Sequence, residues 1–404
     1  MAMSRTSRLF YRFLGLHSFL IGLFPFFIPV FLWKHGYSLG EISGFIAFTG
    51  ASFVLTLWIW DRLHKTLSLN SLIAASFLVE SLLLTLIFYQ GQPGFLFLFA
   101  LLNGAYNCFF WITQRALFFE TLGERDSGRR FGNFQVVVAI IIKLGVLFGG
   151  LLLDKAGYLS VVLISVFIGL LGSLSFFLLK DPMELPAVLR ADPPLAVKEI
   201  LGFRDGHGSR PVFLLDGPFL FLESYFWVIS LFLLAHESFW KLGALVILLG
   251  AGFSALFYLI KNHIDRLPAQ RIYALAVAGY AVSWLMRTTV GPDLNLAWLF
   301  TTLLLITFCT SFFRLAFNKR FFDLARNTSA HRYLFLKSYF SQSSIALGFA
   351  LAALAFHSSQ AEAESLLRIS YLAAALLAPL YLLYRPRLRY SPHPCAADGA
   401  GSAP

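Results

Sequence analysis

Twelve separate stretches of this chain are apolar for about 20 residues each, the length of helix that crosses the hydrocarbon core of a bilayer. They cover 13–33, 40–60, 69–90, 94–114, 132–153 and 159–179, then 212–235, 242–261, 270–290, 295–317, 338–357 and 366–384. A chain of 404 residues that is 58% hydrophobic and 13% charged cannot hide that much apolar surface in soluble cores, and an average soluble domain carries roughly 25% charge. Mean hydropathy is +0.72. Disorder, collagen, coiled coil and a disulfide scaffold are excluded, which leaves an all-α integral membrane protein. Phenylalanine contributes 45 residues, a wealth expected mainly at lipid-facing and interfacial surfaces.

Lys and Arg collect on the cytoplasmic side of membrane proteins. With the N-terminus inside, 26 of the 32 basic residues fall on the cytoplasmic side. Five fall opposite (Lys34, Lys155, Lys241, Arg287 and Arg368), and Lys143 lies within a stretch. Both termini are therefore expected in the cytoplasm. The net charge of +11 is accounted for by topology, with no nucleic acid as partner. Arg5, Arg8 and Arg12 precede the first stretch as a signal peptide's basic region would. That stretch is too long and ends at Trp33-Lys34-His35 without small residues, so it reads as a retained first helix. Cys108, Cys309 and Cys395 have no metal-binding or disulfide spacing.

Residues 180–211 hold Pro182, Pro186, Pro193, Pro194 and Pro211 and form a polar, breaker-rich linker, with a short surface helix expected over 194–203. The expected domains are a six-helix bundle over 1–180, a cytoplasmic linker over 181–211, a second six-helix bundle over 212–389 and a disordered tail over 390–404. An internal repeat supports the division. Asp61-Arg62-Leu63 recurs as Asp265-Arg266-Leu267, Phe109-Phe110 as Phe312-Phe313, Phe118-Phe119-Glu120 as Phe321-Phe322-Asp323, and Gly145 with Gly149 as Gly348 with Ala352. The offset is 203 or 204 throughout. Six spans per copy give both copies one orientation, a 6+6 pseudo-twofold repeat about the membrane normal.

With these features the chain resembles the major facilitator superfamily of secondary transporters over roughly residues 8 to 390. That family's signature in the loop after its second helix is Gly-x-x-x-Asp-Arg-x-Gly-Arg/Lys-Arg/Lys. Here Leu57 replaces the first Gly, Asp61 and Arg62 are kept, His64 replaces the second Gly, and Lys65 keeps a cation. Gly145-x-x-x-Gly149-Gly150 is similar to the fifth-helix motif of the drug/proton antiporters but lacks their Pro. Packing of small residues between helices is its plainer role. The resemblance implies a cytoplasmic gate of ion pairs that form in one state and break in the other. By it, Asp61, Arg62, Glu120, Asp265, Arg266 and Asp323 are assigned to that gate.

Glu80, Lys143 and Glu223 lie mid-stretch, where a charge is costly and functional by default. The resemblance puts Lys143 and Glu223 at the central cavity from opposite halves, and Glu80 on an outer helix as a neutral hydrogen-bonded acid. Asn103 and Asn107, four residues apart, share a helix face with Trp111. This stripe and His17 complete the expected substrate and proton pathway, and Pro25 and Pro29 should kink the first helix. There is no phosphate-binding loop, nucleophile elbow, zinc-binding His-Glu-x-x-His or Cys-x-x-Cys. No enzyme activity or cofactor is expected. The expected function is rocker-switch, alternating-access transport of a small-molecule solute, coupled to protons, by a monomer in the lipid bilayer of a bacterial inner membrane. The alternatives are uptake of a hydrophilic anion, translocation of a lipid or amphiphile, and a membrane sensor on the same fold that moves nothing.

Overall fold

The structure is a computed structural model and describes residues 5–121, 127–179, 193–264, 268–291, 294–326, 329–359 and 361–385, with side chains at all of these except 5–8, 118–136, 257–264 and 326. Asp265, Arg266 and the side chain of Glu120 therefore lie outside the described residues, as do linker residues 181–192 and the tail.

The described residues form helices and connecting turns. Helix α1 (Arg5–Leu23) is followed by a 3-10 turn at Pro25–Phe27 and by α2 (Ile28–Lys34). Pro25 and Pro29 break the helical ladder there, as expected. Next come α3 (Leu39–Leu63), α4 (Leu69–Thr85), α5 (Phe95–Thr121) and α6 (Ser127–Phe177). The start of α3 is fixed by a capping box: Ser38 Oγ accepts from the Glu41 N–H at 3.2 Å, and Glu41 Oε2 accepts from the Ser38 N–H at 2.8 Å. The 51-residue α6 bends at Gly157, whose φ of 73° suits a residue without a Cβ.

Beyond the linker lie α7 (Val197–Gly202), which is the expected surface helix, and α8 (Ser209–Phe221). A π turn at Leu222–Phe226 leads into α9 (Trp227–Leu234). The remainder is α10 (Phe239–Ile264), α11 (Ala269–Thr289), α12 (Leu296–Arg326), α13 (Ala330–Ser358) and α14 (Ala363–Leu377), closed by a 3-10 turn at Ala378–Leu383. Among the described residues, ten segments are long and apolar enough to cross a membrane.

Helices α1, α3, α4, α5 and α6 pack on one another, and α8 packs on α13, α11 on α12 and α14, and α10 on α12. The two groups meet along α3 with α13 and α6 with α10. Small residues allow the closest approaches: a Cβ on Gly145 or Gly149 would run into the carbonyl oxygen of Phe19 or Leu23 on α1. The phenylalanines divide between two environments. Phe167 and Phe177 stand exposed on the outside, whereas Phe13, Phe24, Phe27, Phe31 and Phe45 are fully buried. The expectation that lipid contact explains most of them is corrected accordingly, because bulky rings also fill the gaps left between helices with small residues.

Each end of the seam is tied differently. At one end Trp60 of α3 meets Phe335 of α13 edge to face, with ring centroids 5.7 Å apart. At the other, Asp154 of α6 caps the start of α10: it accepts from Ser238 Oγ at 2.7 Å, the Phe239 N–H at 3.2 Å and the Trp240 N–H at 2.8 Å.

Candidate functional site

The polar stripe on α5 is a hydrogen-bonded ladder. Trp111 Nε1 donates to Asn107 Oδ1 at 3.2 Å, and Asn107 Nδ2 donates to the Asn103 carbonyl at 2.8 Å and to Asn103 Oδ1 at 3.2 Å. Asn103 Nδ2 then donates to Thr49 Oγ1 on α3 at 3.3 Å and, across the seam, to the Tyr225 hydroxyl in the π turn at 3.1 Å. One turn further along α5, the Arg115 guanidinium sits 5.8 Å from the Trp111 ring centroid.

Facing this ladder is a network of four charges. Asp216 on α8 and Glu223 in the π turn are seven residues apart, which puts both carboxylates on one side of the segment. Arg314 of α12 bridges them: its Nη1 donates to Asp216 Oδ1 at 2.6 Å and its Nε to Glu223 Oε2 at 3.0 Å. Lys337 of α13 reaches Asp216 Oδ2 at 3.1 Å. The Tyr381 hydroxyl donates to Asp216 Oδ1 at 3.1 Å, and the Tyr280 hydroxyl donates to Glu223 Oε1. Asp216 is 1% exposed while the Glu223 side chain is 17% exposed, so Glu223 is the carboxylate that a solute or a proton can reach.

Between ladder and network lies a cavity of about 470 Å³, within the range of roughly 300–1,000 Å³ seen for small-molecule sites. Asn103, Asn107, Trp111 and Glu223 line it together, joined by Arg115 and Lys337. Four residues assigned to the substrate pathway from sequence are thus brought to one space.

The other two, His17 and Lys143, are not in its lining. The expected opposition of Lys143 and Glu223 is replaced by the Glu223–Arg314 pair. Lys143 instead lies against Gly250 of α10, since a Cβ there would collide with its ammonium. Sequence position marks Lys143 as lying within an apolar stretch but does not say which neighbour its side of the helix faces. His17 is fully buried, with Nδ1 3.0 Å from Glu80 Oε2 and Nε2 2.7 Å from Ser76 Oγ. Ser76 donates its own proton to the Ile73 carbonyl, so Nε2 is the donor to Ser76 Oγ. Glu80 has a hydrogen-bonding partner, as the sequence suggests, and the partner is His17.

The gate residues with described side chains, Asp61, Arg62 and Asp323, lie in different settings. Asp61 is buried and accepts from the Leu195 N–H in the linker at 2.8 Å. Arg62 is exposed and folds back over its own helix, donating to the Trp58 carbonyl at 2.8 Å with its guanidinium 3.7 Å from the Trp58 ring centroid. Asp323 is exposed on α12. Asp61 and Arg62 thus turn to different partners.

Asp216, Arg314, Lys337 and Arg115 are not among the expected site residues, the three cations being counted as cytoplasmic-loop charge. Asp216 and Arg314 both fall inside apolar stretches, at 212–235 and 295–317, and that position is the signal that marks them. Arg314, Lys337 and Arg115 are hidden when every cation is tallied to the nearest loop.

A helical membrane protein whose two groups of helices enclose a polar, charge-lined cavity has the architecture of a solute carrier. The sequence profile of the Major Facilitator Superfamily matches residues 13–349, and the chain belongs to that family. It is accordingly a membrane transport protein rather than an enzyme. The fold is similar to the crystal structure of the nucleoside transporter NupG, at 13% sequence identity and a TM-score of 0.65 over 94% of this chain and 98% of that one. A single-substitution variant of NupG gives 12% identity and a TM-score of 0.67, with 93% and 98% covered. No curated protein sequence matches the chain.

Proposed function

We propose that this chain is a secondary transporter that carries a small solute through the central cavity by alternating access, coupled to protons, as a monomer in a bacterial inner membrane. The observation that carries this reading is the cavity itself, where the α5 ladder and the Asp216–Glu223–Arg314–Lys337 network face each other across the seam. Twelve spans are supported by dividing the 137–177 segment at Gly157 and adding Ala269–Thr289 to the ten apolar segments. Two six-helix bundles over 1–180 and 212–389, with both termini cytoplasmic, then follow from the repeat and the distribution of cations.

In this reading the bundles rock about the cavity. Glu223 is the proton-binding group. Its protonation removes one of the two carboxylates that hold Arg314, and the bridge across α8 and α12 loosens. Asp61 and Arg62, with Glu120, Asp265, Arg266 and Asp323, belong to the cytoplasmic gate. The nucleoside carried by NupG is one member of the solute panel to test. A second reading, movement of an amphiphile, is favoured by a crevice of about 440 Å³ between α8, α13 and α14, lined by apolar side chains such as Leu215, Leu222, Phe349 and Phe356.

Proteoliposomes loaded with a pH-sensitive dye test the coupling. Solutes drawn from nucleosides, sugars, amino acids, organic anions and amphiphiles are added outside. Wild-type protein is expected to give a solute-dependent pH change, Glu223→Gln none, and a paired substitution of Asp61 and Arg62 by Ala a stalled cycle. Proton flux in Glu223→Gln at the wild-type rate would remove Glu223 from the coupling. Flux of amphiphiles alone would favour the second reading.

A further inference from the structure

The charges around the cavity do not cancel. Asp216 and Glu223 are the two anions, and Arg314 and Lys337 balance them. Arg115 is left over. It lies near enough to Lys337 for the two cations to repel, and its electrostatic attraction is to Asp216, which already holds two cations. Among the described residues Arg115 makes no ion pair, and its recorded neighbour is the face of Trp111. Arg287 is a further buried cation, held elsewhere. It is buried between the Trp284 and Trp227 rings, 4.1 and 5.0 Å from their centroids, with Ser283 and Thr310 as hydrogen-bond acceptors and no carboxylate paired to it. It opens on a separate crevice and takes no part in the charge balance of this cavity. Lys143 is likewise remote from the cavity lining.

An uncompensated guanidinium facing a cavity inside a membrane protein is costly unless an anion meets it. Guanidinium matches carboxylate and phosphate oxygens with two parallel hydrogen bonds. A second unmet group lies in the same lining and asks for a donor on the solute rather than a charge. Gln342 Oε1 is buried without a hydrogen-bond donor and belongs to the same lining, so it calls for an O–H or N–H on the solute.

We propose that the transported solute is a small hydrophilic organic anion whose carboxylate or phosphate is held by Arg115 beside Trp111, and whose body donates a hydrogen bond to Gln342. The proposal rests on the transport reading and deepens it by naming the class of solute. Arg115 is then the residue that selects charge, and the Asp216–Glu223–Arg314–Lys337 network supplies the other wall.

The test uses the full chain in detergent and in proteoliposomes, with solutes in pairs that differ mainly in charge: gluconate and glucose, nicotinate and nicotinamide, uridine monophosphate and uridine. Thermal unfolding reads binding, and exchange of radiolabelled solute reads transport. At least one anion is expected to stabilise the protein and exchange, with its neutral partner far weaker. Arg115→Gln is expected to weaken that anion about 10- to 100-fold, the weight of a hydrogen bond to a charged group, while Arg115→Lys keeps part of the affinity. Gln342→Glu is a second variant that needs no deletion of Arg115: it supplies the negative charge from within and is expected to expel the anion. Neutral partners acting as well as the anions, or Arg115→Gln and Gln342→Glu both binding the anion as wild type does, would overturn the anion assignment and leave transport standing. Exchange of no solute from either set would overturn both.

Discussion

At the scale of single residues, Arg314 is the keystone of the charge network. It is the cation that touches both Asp216 and Glu223. Removing one partner from a buried ion pair leaves charge that water no longer solvates, at a cost of about 3–5 kcal/mol. Arg314→Gln should therefore lower stability by about that amount, measured by chemical unfolding in detergent. Adding Glu223→Gln should restore part of the loss, because only Asp216 is then left to Lys337. The two sides of the cavity were unequally legible in the sequence. Asn103, Asn107 and Trp111 could be found because a spacing of four is local and the helix enforces it. The partners of Glu223 could not, because Arg314 lies 91 residues away on another helix and helix rotation decides which charges meet. The same blindness set Lys143 opposite Glu223 and left His17 unpaired from Glu80.

At the scale of helices, close packing of α1 on α6 depends on the absence of side chains. Gly145 and Gly149 meet the backbone of α1 with no room for a Cβ. Gly149→Ala should force the helices apart at a cost of about 1–3 kcal/mol, visible as a lower unfolding temperature, whereas Gly44→Ala, where a Cβ meets nothing within 4 Å, should change little. Element boundaries were largely legible, since hydropathy reports each span and Pro or Gly its interruptions. The bend at Gly157 falls between two apolar stretches read from sequence. The π turn at Leu222–Phe226 was not legible, because no residue type demands an i→i+5 bond.

At the scale of the whole molecule, the seam is tied at both ends and spanned midway by Asn103 and Tyr225. If rocking moves solute, fixing one end must stop it. With native cysteines replaced, Trp60→Cys and Phe335→Cys joined by a short reducible cross-linker should abolish solute exchange, and reduction should restore it. Exchange that continues while cross-linked would argue for a path that does not need the seam to open. The ties at the ends of the seam were the least legible part. Asp61 is buried and holds the linker through the Leu195 N–H, and the tie at the far end is a cap from Asp154. That residue follows an apolar stretch as an ordinary loop acid would, and nothing in the sequence announces that α10 begins against it.

The π turn carries one residue more than α geometry would use over the same length. If that extra residue were absorbed, everything on one side of it would swivel by about 100°, the angle of one α-helical step. Tyr225 would swing from Asn103 at the same moment as Glu223 swung from Arg314, since both sit inside those five residues. A slip of a single peptide unit would thus act as a clutch, disengaging the amide ladder and the charge network in one stroke.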